Sequence, residues 1–178
     1  MTLGIRYSWL IVLGLFMFVS WIANSWASSA TSPTLQYAGL GLYVIANAVI
    51  FVPLLYLATE LDDRIIPTAG ISTLGLFAAL TAVVFVTRKD FSWMRSILFF
   101  SGFAALGLVA FSLIFGFALG PIFTVVMIVF ACCYILYDTS NVLHHYHIGQ
   151  HVAAALALFA SVALLFWYIV QLFMSARD

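Results

Sequence analysis

Six apolar runs divide the chain, at residues 8–27, 34–58, 65–87, 91–115, 119–143 and 152–174, with short polar links between them. Each holds about 20–25 residues, enough for an α-helix to cross a hydrocarbon core of about 30 Å. No stretch alternates polar and apolar positions as a barrel strand does. Backbone in lipid must satisfy its own hydrogen bonds, which leaves helices. The pattern predicts an all-α protein, a polytopic transmembrane helix bundle of six spans, in a single domain over residues 1–178. The first run is too long for a signal-peptide core and reads as a span that stays.

The polar positions inside and between these runs refine the picture. Trp9 and Trp26 fall near the two ends of the first span, where indoles favour the interface. Pro33 suits the first turn of the second helix, where a missing N–H costs little. Within that span Pro53 frees a carbonyl and is expected to kink the helix. Asn47 is expected either to bond across helices as a packing amide or to line a polar cavity. Glu60, Asp62, Asp63 and Arg64 form the most charged link, a solvated turn or a weak cation-attracting mouth. Ser72, Thr73 and Thr81 sit among small residues on the third span, and Gly102, Ala104, Ala105 and Gly107 mark a packing face on the fourth. A tight turn at 116–121 makes the fourth and fifth spans antiparallel neighbours.

Composition fixes the class. Of 178 residues, 66% are hydrophobic and 7% charged, far too few charges to cover a water-exposed surface. Six basic and six acidic residues balance, without a basic patch, which excludes nucleic acid as a partner. The lipid bilayer is the partner that composition demands. Arg88, Lys89 and Arg95 are half of the basic residues, so the positive-inside rule places their link in the cytosol. Arg6, Arg64 and Arg177 fall on the other side and weaken that vote. Cys132 and Cys133 are adjacent inside an apolar run and read as packing residues; a disulfide scaffold or zinc site needs other spacings. Neither a nucleophile–base pair nor a phosphate loop or cofactor motif is found. A non-enzymatic protein with no cofactor and no bound metal is expected.

Candidate chemistry gathers near the end of the fifth span. Asp138 is the only acidic residue between Asp90 and Asp178. A carboxylate at the end of a membrane-length segment marks a functional-site hypothesis. It can snorkel into water, pair with Arg88, Lys89, Arg95 or a histidine, or act as a titratable gate or cation ligand. All four histidines follow it: His144, His145, His147 and His151. His144, His147 and His151 stand at i, i+3 and i+7, a spacing that would share a helix face and bind a metal, although Gly149 weakens a helix there. A pH-responsive cluster and a plain interfacial loop are the other readings. Ser161 is the one polar residue near the middle of the last span.

Three blocks carry a resemblance to a known family. Tyr134-Ile135-Leu136-Tyr137-Asp138-Thr139-Ser140-Asn141 resembles the signature that ends the penultimate span of the Bax inhibitor-1 family, the transmembrane Bax-inhibitor-motif proteins. Thr87-Arg88-Lys89-Asp90-Phe91-Ser92 resembles its loop before the following span. The stretch 152–159 resembles the start of its last span, and Ile66-Pro67-Thr68-Ala69 is a weaker fourth match. Together they cover roughly residues 65–174. The resemblance implies a bundle with the last helix at its centre. It also implies a role in calcium leak, in suppressing cell death in eukaryotes, or in modulating a membrane-bound AAA protease in some bacteria.

In family members with a leak, two aspartates on the last two spans form a pH-sensitive latch. Asp138 matches the first. The family pattern Ala-Leu-x-Leu-Tyr-Leu-Asp lines up with Ala155-Leu156-Ala157-Leu158-Phe159-Ala160-Ser161, so a serine stands where the second aspartate would be. A serine can hydrogen-bond a carboxyl but cannot share a proton between two of them, which removes the coupled titration of a dyad. The family usually has seven spans, and the block order puts the missing one at the N-terminus, as in a shortened form. The expectation is a Bax inhibitor-1-like protein, a pH-sensitive calcium leak channel with calcium as the transported ion. The alternative is a non-conducting regulator that binds a membrane-bound AAA protease or another membrane protein. The very short loops suggest a bacterial inner membrane.

Overall fold

The computed structural model describes residues 3–29 and 32–177, with backbone alone for residues 3–10, so the side chains of Arg6 and Trp9 lie outside it. The described residues form helices α1 (Leu3–Ala27), α2 (Pro33–Leu61), α3 (Ile65–Thr87), α4 (Met94–Phe115), α5 (Pro121–His144) and α6 (His151–Ser175), and no strand. By length and composition α2 to α6 are each able to cross a membrane, and in α1 the described apolar stretch is the shorter Ile11–Ala27.

Local chemistry sets the boundaries. Pro33 and Pro121 open α2 and α5 at positions where no amide hydrogen is needed. Arg88 and Gly116 end α3 and α4 in the left-handed conformation, and their N–H groups donate to Val84 and Ser112 carbonyls. Between helices, the Asp62 carboxyl accepts the Arg64 N–H at 2.7 Å and the Asp90 carboxyl accepts the Ser92 N–H at 2.8 Å. These side chain-to-backbone turns compete with helix. The second is why α4 begins at Met94 and not at Phe91, where the apolar run starts. Pro53 lies inside α2, which continues past it as one helix.

Helix α6 packs against α5, α3, α2 and α1, so it occupies the centre of the bundle. In lipid, close packing of small residues holds helices together better than apolar area does. Ala58, Ala69 and Ala131 are fully buried where α2, α3 and α5 meet Leu165, Ile169 and Val170 of α6. Helices α1 and α2 approach even more closely at Gly39, where a Cβ would stand 2.6 Å from the Ala23 carbonyl oxygen. Helix α4 is peripheral: Leu98 is its one buried residue among those described, while Phe99, Phe100 and Phe103 are more than half exposed. Such a broad apolar exterior suits lipid.

Contacts between links show which ends lie together. Arg177 pairs with Asp62 at one end. At the other, His145 approaches Asp90 at 3.8 Å and the Tyr37 hydroxyl meets His151 Nε2 at 3.2 Å. The second end is called the histidine end below.

Candidate functional site

Asp138 lies six residues before the end of α5, about 9 Å along the axis from the histidine end. Its side chain is buried, as are Thr139, Ser140 and Ser161. Across the α5–α6 contact its carboxyl faces the Ser161 hydroxyl. That hydroxyl also donates to the Leu158 and Ala157 carbonyls at 3.0 and 3.3 Å, the usual back-bonding of a helical serine. Tyr43, Tyr134 and Tyr146 come within electrostatic range of Asp138. The acid is thus surrounded by hydroxyl groups.

No basic side chain among the described residues pairs with Asp138. Arg88, Lys89 and Arg95 are exposed and make no ion pair among the described residues. The reason is position: these side chains stand exposed on the link and at the start of α4, while the Asp138 carboxyl is buried toward Ser161. The histidines divide as well. His144 closes α5, with its Nδ1 at 3.0 Å from the Ser140 carbonyl, and His145 reaches Asp90. His147 is in the link and His151 starts α6. The i, i+3, i+7 helix face does not form because the chain turns between His145 and Gly149, which has φ +98°. No group of three His, Cys, Asp or Glu side chains that could hold a metal occurs among the described residues.

What the motif blocks share is a physical joint. The fully buried Ser140 hydroxyl accepts the Phe91 N–H at 3.0 Å and donates to the Lys89 carbonyl at 3.4 Å. The 88–93 link is therefore fastened to α5 beside Asp138. Within that link the Ser92 N–H holds the Asp90 carboxyl below the ordinary carboxylate range, and the Ser92 hydroxyl, His145 and His144 add to this. Burial pushes the Tyr146 hydroxyl above its ordinary value, with the nearby Asp138 adding to the effect. Beside the acid, the Thr139 hydroxyl is buried without a hydrogen-bond partner.

Toward the opposite end, a cavity of about 430 Å³ opens among α1, α2, α4, α5 and α6, with Tyr43 and Asn47 on one wall and Thr124 and Gln171 on others. Of the two readings of Asn47, the structure sets it in the cavity wall, and no cross-helix bond from it is seen among the described residues. Its Nδ2 donates to the Tyr43 carbonyl of its own helix at 2.9 Å, because cavity and not a helix lies opposite. Tyr43 both lines this cavity and adjoins Asp138, and its ring packs edge-on against Phe159 at 6.1 Å. Sequence reasoning missed Tyr43 and Ser140. Tyr43 sits in an apolar helix without a motif, and the bonds of Ser140 join residues 49 and 51 apart.

Fold and site together define a polytopic helical membrane protein with one buried acid on its penultimate span. The chain belongs to the Bax inhibitor-1 family: residues 1–178 match the family model described as inhibitor of apoptosis-promoting Bax1. It is 36% identical over 121 residues to Bax inhibitor 1 of Schizosaccharomyces pombe, covering 64% of this chain and 44% of that protein. With an uncharacterized protein of Pseudomonas aeruginosa it shares 29% identity over 162 residues, 90% of this chain and 69% of the other. A BI1-like protein of Arabidopsis thaliana is 34% identical over 118 residues, covering 62% and 45% respectively. The matched stretch thus spans under half of the yeast and plant relatives.

Proposed function

We propose that this protein is a calcium leak pathway in which Asp138, seated against Ser161, is the pH-sensitive gate. The observation that carries the reading is a buried carboxyl with a hydroxyl neighbour and no basic partner among the described residues, within electrostatic range of Tyr43, which lines a cavity that reaches toward the opposite end. Intramembrane acids of this kind mark ion and proton routes. An ionised Asp138 draws a cation from the cavity past Tyr43 in this scheme; a protonated one does not. Ser161 supplies a hydrogen bond in place of a second carboxylate, so the gate titrates as a single group and not as a coupled pair. The chain performs no catalysis in this scheme, and calcium is cargo. The relative in Pseudomonas aeruginosa and the short links favour a bacterial inner membrane, with the Arg88–Arg95 end in the cytosol.

The test is calcium flux into liposomes carrying the purified chain, at pH 6 and pH 8. Flux that rises with pH is expected. Absence of flux at both values overturns the leak. It would favour the second reading, a non-conducting regulator of a membrane-bound AAA protease or another membrane protein, which rests on Ser161 standing where an aspartate would complete the latch. Copurification of such a protease with the solubilised chain would support that reading.

A further inference from the structure

A groove on the lipid side of the bundle has a role independent of whether the chain conducts. Between α4 and α5 lies an apolar furrow of about 330 Å³, walled by Phe99, Gly102 and Leu106 on one side and Phe130 and Tyr134 on the other, with Leu164 of α6 at its base. At Gly102 a Cβ would just touch the Phe130 ring, at 3.5 Å, so a longer side chain there would fill the furrow. From Phe99 to Val109 the furrow follows α4 for ten residues, about 15 Å. That is half of a hydrocarbon core of about 30 Å, the depth of one leaflet.

Its mouth is cationic. Residues 95, 99, 102, 106 and 109 recur at i, i+4, i+7, i+11 and i+14, so Arg95 stands on the same helix stripe, one turn above Phe99. Arg88 and Lys89 lie in the preceding link. All three basic residues are exposed and without an ion pair among the described residues, whereas the one acid of the link, Asp90, accepts the Ser92 N–H and faces His145. Trp93, 65% exposed, adds an indole at interface depth. Among the described residues a second copy of the chain offers this mouth little negative charge: Asp138 is buried, Asp90 is engaged with the Ser92 N–H and His145, and Glu60, Asp62 and Asp63 lie at the other end.

We propose that this furrow binds one acyl chain of a phospholipid whose anionic headgroup is held by Arg95 with Arg88 and Lys89, in the leaflet at the histidine end. Charge selects the headgroup, and the length of the furrow selects a chain one leaflet deep. The furrow shares Leu106, Val109, Leu164 and Tyr168 with the central cavity, so the bound chain lies against the wall between the two.

Lipid binding to the full-length chain in neutral detergent, read by native mass spectrometry, tests this. Phosphatidylglycerol is expected to bind more tightly than phosphatidylcholine, with a single basic contact accounting for about fivefold. Arg95→Gln, at an exposed position, should reduce that preference by about the same factor. Gly102→Leu should lower retention of both lipids by filling the furrow. Leu106→Trp repeats that arm at a half-exposed site if the glycine variant does not fold. Equal binding of the two lipids by the wild type, or an unchanged preference in Arg95→Gln, would overturn the proposal. So would displacement of phosphatidylglycerol by equimolar inorganic phosphate, which would mark a free-phosphate site.

Discussion

At the scale of single residues, Asp138 and Ser140 divide the work of one motif. Asp138 turns inward to Ser161, while Ser140 ties the 88–93 link to α5. Replacing Ser140 by alanine leaves the part-buried Phe91 N–H without its partner, a loss of about 1 kcal/mol. Hydrogen exchange of the 88–93 amides should quicken in Ser140→Ala with the rest of the bundle unchanged; unaltered exchange would mean that the tie does not hold the link. Asp138 stands out in sequence because it is an acid in an apolar run, and the structure buries it. Ser161 was legible through the family pattern. Tyr43 was not, because a tyrosine in an apolar helix signals nothing until the fold sets it in the cavity wall within electrostatic range of the acid. The expected basic partners of Asp138 failed for a related reason: nearness in a link does not say which way a helix turns its side chains.

At the scale of elements, the helices were legible to within a few residues, because a membrane fixes their length. The misplaced start of α4 came from Asp90, whose bond to the Ser92 N–H builds a turn inside an apolar run. That turn has a pH dependence. A carboxyl held below the ordinary range stabilises the link above the ordinary carboxylate pKa of about 3.9, and the contribution disappears as pH falls through the lower folded value. Protection of the link amides should therefore persist from neutral pH down to the carboxylate range and decline only below it; a decline near neutral pH contradicts this assignment. The α1–α2 contact rests on Gly39. Overpacking of a well-fitted contact costs about 1–3 kcal/mol, and Gly39→Leu should lower the melting temperature of the solubilised protein. An unchanged melting temperature would show that α1 moves freely away from α2.

Across the whole molecule, the charges divide between two ends. Arg88, Lys89, Arg95 and the histidines lie at one, and Glu60, Asp62, Asp63, Arg64 and Arg177 at the other. The central place of α6 follows the family resemblance, whereas the cavity had no counterpart in the linear pattern, since it arises among helices far apart in sequence; the furrow lies between α4 and α5, the neighbours that the short turn predicts, and only side-chain packing shows its shape. If the histidine end is cytosolic, a cysteine at the fully exposed Ile148 should resist a membrane-impermeant maleimide added to intact cells, and one at Asp63 should react. The reverse result would invert the bundle. The central claim is that Asp138 gates a cation route, and the most direct measurement is calcium flux in liposomes carrying wild type, Asp138→Asn and, as a control at the far end, Asp63→Asn. Asp138→Asn removes the ionisable group at nearly constant volume, so its flux should be low and independent of pH, while the wild type and Asp63→Asn respond to pH alike. Wild-type flux and pH response in Asp138→Asn would contradict the claim.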